Sequence, residues 1–217
     1  ALVSTWGNKN LKWQKTQTHN VGVNAQLFQN RLNFTVDYQY RENDPMLIRI
    51  DLPSSTGATS APMNIGATRN QSISASATVY IFKQRDLNWY VSTNISHYKT
   101  KYYNIGNTLE KYNEEGRANS TLLRMYDGAS TSALYVVRSA GIDPATGNEI
   151  FIRKDGTYTF EWNADDEVLY GDSTPDVQGN INTSFTWKDF YWGASFSYRL
   201  GAEVQLSTLL NKVENIS

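Results

Sequence analysis

The sequence predicts an all-β chain, an antiparallel transmembrane β-barrel wall. Three observations predict it: apolar–polar alternation in one segment after another, very short turns alternating with long connections, and aromatic side chains gathered beside the short turns. The alternation is clearest where Leu32, Phe34, Val36, Tyr38 and Tyr40 share one face and Asn33, Thr35, Asp37, Gln39 and Arg41 the other. It recurs with Ile73, Ala75, Ala77, Val79 and Ile81, set against Ser72, Ser74, Ser76, Thr78 and Tyr80. Leu87, Trp89, Val91, Thr93 and Ile95 continue it, then Ile181, Thr183, Phe185 and Trp187, and finally Phe190, Trp192, Ala194, Phe196 and Tyr198. Val21, Val23, Ala25 and Leu27 supply one more strand.

These strands pair into hairpins through short turns near 29–30, 83–86 and 188–189. The connections near 42–70 and 99–177 are long and hold most of the turn-forming residues, among them Pro45, Pro53, Gly57, Pro62, Gly128, Pro144 and Gly156. In an outer-membrane barrel the short turns face the periplasm and the long loops the exterior, so that sidedness is expected here. Phe28, Phe34, Phe82, Trp89, Trp187, Phe190 and Trp192 flank the tight turns, as a girdle at the membrane boundary would.

Composition fits the same class. Aromatics make up 13% of the 217 residues, with 14 Tyr and 6 Trp, yet the mean hydropathy is -0.53. A barrel wall reconciles the two, because half of each strand faces lipid and half faces water. No run of about 18 apolar residues occurs, so no membrane-crossing helix is expected. A balance of 20 basic against 21 acidic residues carries no nucleic-acid footprint, and the lack of Cys excludes disulfides, thiolate metal sites and a Cys nucleophile.

A soluble β-sandwich, such as a carbohydrate-binding module, is the main rival, since end-of-core aromatics would look similar. Strand length favours the membrane: sandwich strands run about 5 to 6 residues, a crossing takes about 9 to 11, and the run from Leu32 to Arg41 has crossing length. Five or six spans fall short of the roughly 8 strands of the smallest closed bacterial barrels, so the remaining strands are expected from a longer polypeptide. The chain opens at Ala1, Leu2, Val3 and Ser4 with neither a basic nor an apolar leader region, and a targeting signal is expected outside it.

Several short motifs resemble the SusC-like branch of the TonB-dependent outer-membrane transporters. Residues 7–16, GNKNLKWQKT, are similar to the family's GNPNLKWEKT, with Gln14 where Glu is usual. Asn30-Arg31-Leu32 followed by Val36-Asp37-Tyr38 resembles its NRL…VDYY hairpin, and Asn64-Ile65-Gly66 the start of NIGEVENKGIE, of which Ala67 to Ser74 keep only the Asn and Ile. Residues 140–147 read AGIDPATG as in the family, and Asp172-Ser173-Thr174-Pro175-Asp176 resembles its G(D/N)xxPD lead-in to a descending strand. The resemblance covers nearly the whole chain but only the C-terminal part of the family's length. It implies a piece of a 22-stranded barrel in the bacterial outer membrane whose plug domain is not in this chain. It further implies active import of glycans or peptides energised by TonB through that plug, a SusD-like surface lipoprotein as partner, outer-membrane lipid around the wall, and no enzymatic activity or cofactor. A passive porin is the second rival.

Candidate chemistry is sparse. Asp165-Asp166-Glu167 is expected to be solvated loop charge, because sequence neighbours lack the opposed geometry of an acid/base pair. Lys154-Asp155-Gly156 is a turn that keeps only part of the family's DxNGDG calcium pattern. His19 and His97 lie in strands without a second ligand at metal spacing, so no metal is expected. Loop aromatics are the candidate ligand-binding residues, since sugar rings stack on exposed aromatic faces: Tyr102, Tyr103, Tyr112, Tyr126, Tyr158 and Trp162. By phase, Asp37, Arg41, Asn94 and Arg199 are expected to face the barrel lumen.

Overall fold

The computed structural model describes residues 7–51, 54–58, 60–106, 108–118 and 121–206; residues 1–4 and Pro53, noted above, lie outside them. In chain order the elements are β1 (Lys15–Leu27), β2 (Leu32–Asp44), β3 (Leu47–Asp51), β4 (Ser60–Asn64), β5 (Ala67–Lys83), β6 (Leu87–Tyr103), α1 (Glu110–Ala118), β7 (Ala133–Val136), β8 (Arg138–Ile142), β9 (Glu149–Ile152), β10 (Tyr158–Thr159), β11 (Val168–Asp172), β12 (Val177–Trp187) and β13 (Phe190–Leu200). Six long strands form one antiparallel sheet in the order β1-β2-β5-β6-β12-β13. The turns at 28–31, 84–86 and 188–189 all close one end of it, and the excursions 45–66 and 104–176 leave from the other.

Register carries the alternation of each strand across the whole sheet. One row reads Val23, Val36, Ala75, Ile95, Gly179, Tyr198; the next on the same face reads Ala25, Phe34, Ala77, Thr93, Ile181, Phe196. The opposite face carries Gly22, Asp37, Ser74, Ser96, Gln178, Arg199 and then Asn24, Thr35, Ser76, Asn94, Asn180, Ser197. Because the side-chain period is two, a slip of one residue in any ladder would mix these sets. The ladder departs from simple alternation once: a bulge leaves Ile81 without a partner and sets Phe82, rather than Ile81, opposite Trp89.

The apolar face is open. Val21, Val23, Ile95, Phe196 and Leu200 are exposed on it, and no second sheet among the described residues covers them, which is the opposite of a sandwich. Hydroxyls on this face turn back to the backbone: Thr93 donates to the Asn180 carbonyl at 3.2 Å and Thr183 to the Tyr90 carbonyl at 3.4 Å. The Trp89 indole donates to Thr183 at 3.0 Å. Polar atoms so satisfied fit a hydrocarbon environment, where an unmet donor costs several kcal/mol. The buried residues gather instead at the end of the sheet from which the excursions leave, where Met46, Ile65, Tyr102, Ile105 and Leu109 form the core that anchors both excursions to the sheet.

Gly179 sits on the apolar face between Ile95 of β6 and Tyr198 of β13. A Cβ there would overlap the Asn94 carbonyl and the Tyr198 ring, whose hydroxyl donates to that carbonyl at 3.2 Å. At the tight turn after β1, Phe28, Gln29 and Asn30 all take positive φ, which makes the reversal from Leu27 to Leu32 abrupt.

Candidate functional site

The polar face of the sheet and the larger excursion, 104–176, carry most of the residues singled out from the sequence. On the polar face Asp37, Asn94 and Arg199 lie where alternation assigns them, in the rows given above, and Arg41 stands opposite Thr18 and Asn70.

The excursion has its own architecture. β8, β9 and β10 make a three-stranded sheet and β7 pairs with β11. Residues 128–131 bind the end of β6 through Tyr102 N to Ala129 O (3.0 Å), Gly128 N to Tyr102 O (2.8 Å) and Thr131 N to Thr100 O (3.0 Å). Asn113 of α1 is buried and both accepts from and donates to the Met125 backbone, at 2.8 and 3.0 Å. Asp172 ties the far end down, accepting from the Ser132 hydroxyl at 2.5 Å and the Thr174 amide at 2.9 Å. Burial alone would raise its carboxyl; the hydroxyls of Ser132 and Ser130, the Thr174 amide and the charge of Lys99 together hold it below the ordinary value.

At the centre of the excursion Glu167 bridges two guanidinium groups. Arg124, 3% exposed, meets it through Nη2 to Oε1 and through Nε to Oε2 at 3.1 Å; Arg117 Nε reaches the same Oε2 at 3.2 Å. Arg124 spends Nη1 on the carbonyls of Thr121 (2.5 Å) and Leu123 (2.8 Å), and Arg117 donates from Nη2 to the Tyr126 hydroxyl at 2.9 Å. Burial alone would lower the Arg117 guanidinium, but the Glu167 hydrogen bond and neighbouring charges hold it above its ordinary value. Burial raises the phenols of Tyr126 and Tyr135, whose rings meet edge to face at 5.4 Å. This corrects the expectation of a solvated charge at Glu167, whose side chain is only 10% exposed. Sequence neighbours gave no hint of a partner because Arg117 and Arg124 stand 50 and 43 residues away.

Beside the bridge lies an open cleft of about 560 Å³, walled by Arg117, Arg124, Tyr135, Val137, Trp162 and Glu167. Arg117 also reaches Glu110 from Nη1 at 3.4 Å, so the two guanidinium groups are matched by two carboxylates, and Trp162 supplies an aromatic face. It can hold a planar or ring-bearing polar ligand but contains no nucleophile–base pair.

The six aromatic candidates separate by position. Tyr102 and Tyr103 belong to β6, which runs further than the loop boundary expected at 99; Tyr102 is buried in the core, and Arg69 covers Tyr103 with its Cζ 4.2 Å from the ring centroid. Tyr126 is held by Arg117 and Tyr135. Tyr112 on α1, Tyr158 on β10 and Trp162 are exposed. The excursion also exposes Ile142, Phe160, Leu169 and Tyr170, which sequence reasoning passed over although Phe160 stands midway in the alternation Tyr158, Phe160, Trp162. Asp155 accepts from the Thr157 amide (2.9 Å) and hydroxyl (2.7 Å) in a local turn, and among the described residues no His, Cys, Asp or Glu cluster could hold a metal.

No family model matches the chain. It is 26% identical to the TonB-dependent receptor P3 of Formosa agariphila over 96% of its own length and 22% of that protein's. Identity is also 26% to the TonB-dependent receptor SusC of Bacteroides thetaiotaomicron, over 97% of the chain and 22% of SusC. Among solved structures it superposes on the RagAB peptide transporter with a TM-score of 0.75 and 26% identity, covering 92% of this chain and 22% of that one. The chain thus spans about a fifth of the length of the relatives it matches. An open six-stranded wall with one apolar and one polar face is what a fifth of a large barrel must be. The chain is similar, over nearly its whole length, to a stretch of the β-barrel wall of the SusC-like TonB-dependent receptors, proteins of the bacterial outer membrane.

Proposed function

We propose that this wall is part of an active importer that carries glycans or peptides across the outer membrane and catalyses no reaction. The observation that supports the reading is the register: six strands share one continuous apolar face, which suits lipid, and one polar face, which suits a lumen. The long excursions lie outside the cell and the tight turns in the periplasm, as in other barrels of this kind. Energy reaches the barrel from TonB through a plug carried elsewhere in the polypeptide, and a SusD-like surface lipoprotein works against the exposed aromatics of the excursion. The names of the relatives support import, and the neighbour described as a peptide transporter supports peptide as well as glycan cargo. Tyr112, Tyr158 and Trp162 are the aromatics we assign to cargo or to the lipoprotein, because they keep free faces.

The test is uptake of labelled oligosaccharides and peptides by cells expressing the full polypeptide, with and without TonB, alongside mass spectrometry of what copurifies from detergent-solubilised outer membranes. Uptake that stops without TonB, and a copurifying lipoprotein, are expected. TonB-independent uptake would show a passive porin instead.

A further inference from the structure

Above the apolar band the outward face changes character. On β6 the apolar band runs from Leu87 to Ile95; eight steps of about 3.4 Å at a tilt of about 40° climb roughly 21 Å, most of the height of a barrel's apolar belt. β5 and β6 are each 17 residues long and continue past it, still in the lipid-facing phase, as Gln71 and Arg69 opposite Lys99 and Lys101. Together with Tyr38 and Tyr103 these side chains line a cleft of about 280 Å³.

The charges of this cleft are unbalanced. Arg69 pairs with Glu42 (Nε to Oε1, 2.9 Å) and lies over the Tyr103 ring. Neither Lys99 nor Lys101 forms a salt bridge among the described residues; the Asp172 carboxylate acts on Lys99 from the excursion side, which still leaves three cations against Glu42 and Asp172. Lysine stems lie along apolar surface and lift their ammonium groups to the headgroup level, where an anionic lipid contributes about 1 kcal/mol per cation. The geometry points to a lipid site: the cleft of Arg69, Lys99, Lys101, Tyr38 and Tyr103 holds the phosphate of an outer-leaflet glycolipid headgroup, with the acyl chains lying down the apolar rows beneath. The inference rests on the outward sidedness proposed above for the long excursions.

The full polypeptide, purified in detergent and reconstituted in phosphatidylcholine nanodiscs, tests it. The discs contain phosphorylated lipid A, dephosphorylated lipid A or phosphatidylglycerol, and native mass spectrometry reads the lipid retained. The wild type should keep phosphorylated lipid A. Lys99→Gln/Lys101→Gln should lose retention on the order of thirtyfold, two surface cations at their usual contribution. Lys99→Arg/Lys101→Arg and the exposed helix variant Lys111→Gln should retain it, and heat-modifiable migration on gels confirms that each variant is folded. Equal retention of the dephosphorylated lipid, or full displacement by inorganic phosphate at the lipid's own concentration, would overturn the lipid-phosphate site. A preference for phosphatidylglycerol alone would overturn the glycolipid and place the cleft in the inner leaflet. Reversed sidedness is read independently by protease cleavage of 104–176 on intact cells, so failure of the site and failure of the orientation are told apart.

Discussion

Glu167 is the residue on which the larger excursion depends most. Removing it leaves the buried Arg124 without an ion-pair partner among the described residues, since Glu110 reaches only Arg117, and breaking a buried ion pair from one side costs about 3–5 kcal/mol. Glu167→Ala should therefore open the region around α1 and β11 while the six-stranded sheet persists, which hydrogen exchange resolved by segment would show as lost protection confined to 104–176. Asp172 gives a pH signature in the same region. Its carboxyl titrates lower folded than unfolded, so its contribution is present above the unfolded value of about 3.9 and is lost as pH falls through the lower folded value. Exchange at the Ser173 amide, which donates to the Ser132 carbonyl at 3.0 Å, should stay slow at neutral pH and accelerate only below about pH 4.

At the scale of the strand, neighbouring residues should tolerate charge very differently. Ala77 lies mid-row on the apolar face and Ser76 on the polar face beside it. Ala77→Arg should destabilise the inserted barrel by about 2–4 kcal/mol and Ser76→Arg far less, measured by urea titration in lipid vesicles. Gly179→Ala tests the β6–β12 junction: with a methyl group overlapping the Asn94 carbonyl, the ladder from Leu87–Trp187 to Ser96–Gln178 must shift, and the yield of heat-modifiable, folded barrel should fall. Equal yields for Gly179→Ala and wild type would mean that the strands can part there without penalty.

For the whole molecule the decisive feature is incompleteness. β1 and β13 each leave one edge without a partner strand among the described residues, and the apolar face lies open. Isolated in detergent-free buffer, residues 1–217 should aggregate, whereas the same segment within the full polypeptide should insert and resist protease in its strands. A soluble, cooperatively folded monomer of the isolated chain, seen by light scattering and thermal melting, would contradict a barrel wall.

Alternation in Leu32 to Arg41 and its counterparts was enough by itself to define the six long strands, their two faces and the polar phase of Asp37, Asn94 and Arg199, because side-chain direction in a strand is set by parity alone. The bulge at Ile81 escaped it, since the extra residue is defined only against the partner strand. Tyr102 and Tyr103 read as loop aromatics because polar residues from Lys99 onward interrupt the apolar phase, and only pairing with β5 shows that the strand continues. Within the excursion almost nothing was legible: the Arg117–Glu167–Arg124 bridge and the docking of 128–131 on β6 join residues far apart in sequence. Local sequence thus determined where backbone parity decides the outcome, and tertiary structure decided wherever a charge or an edge had to find a distant partner.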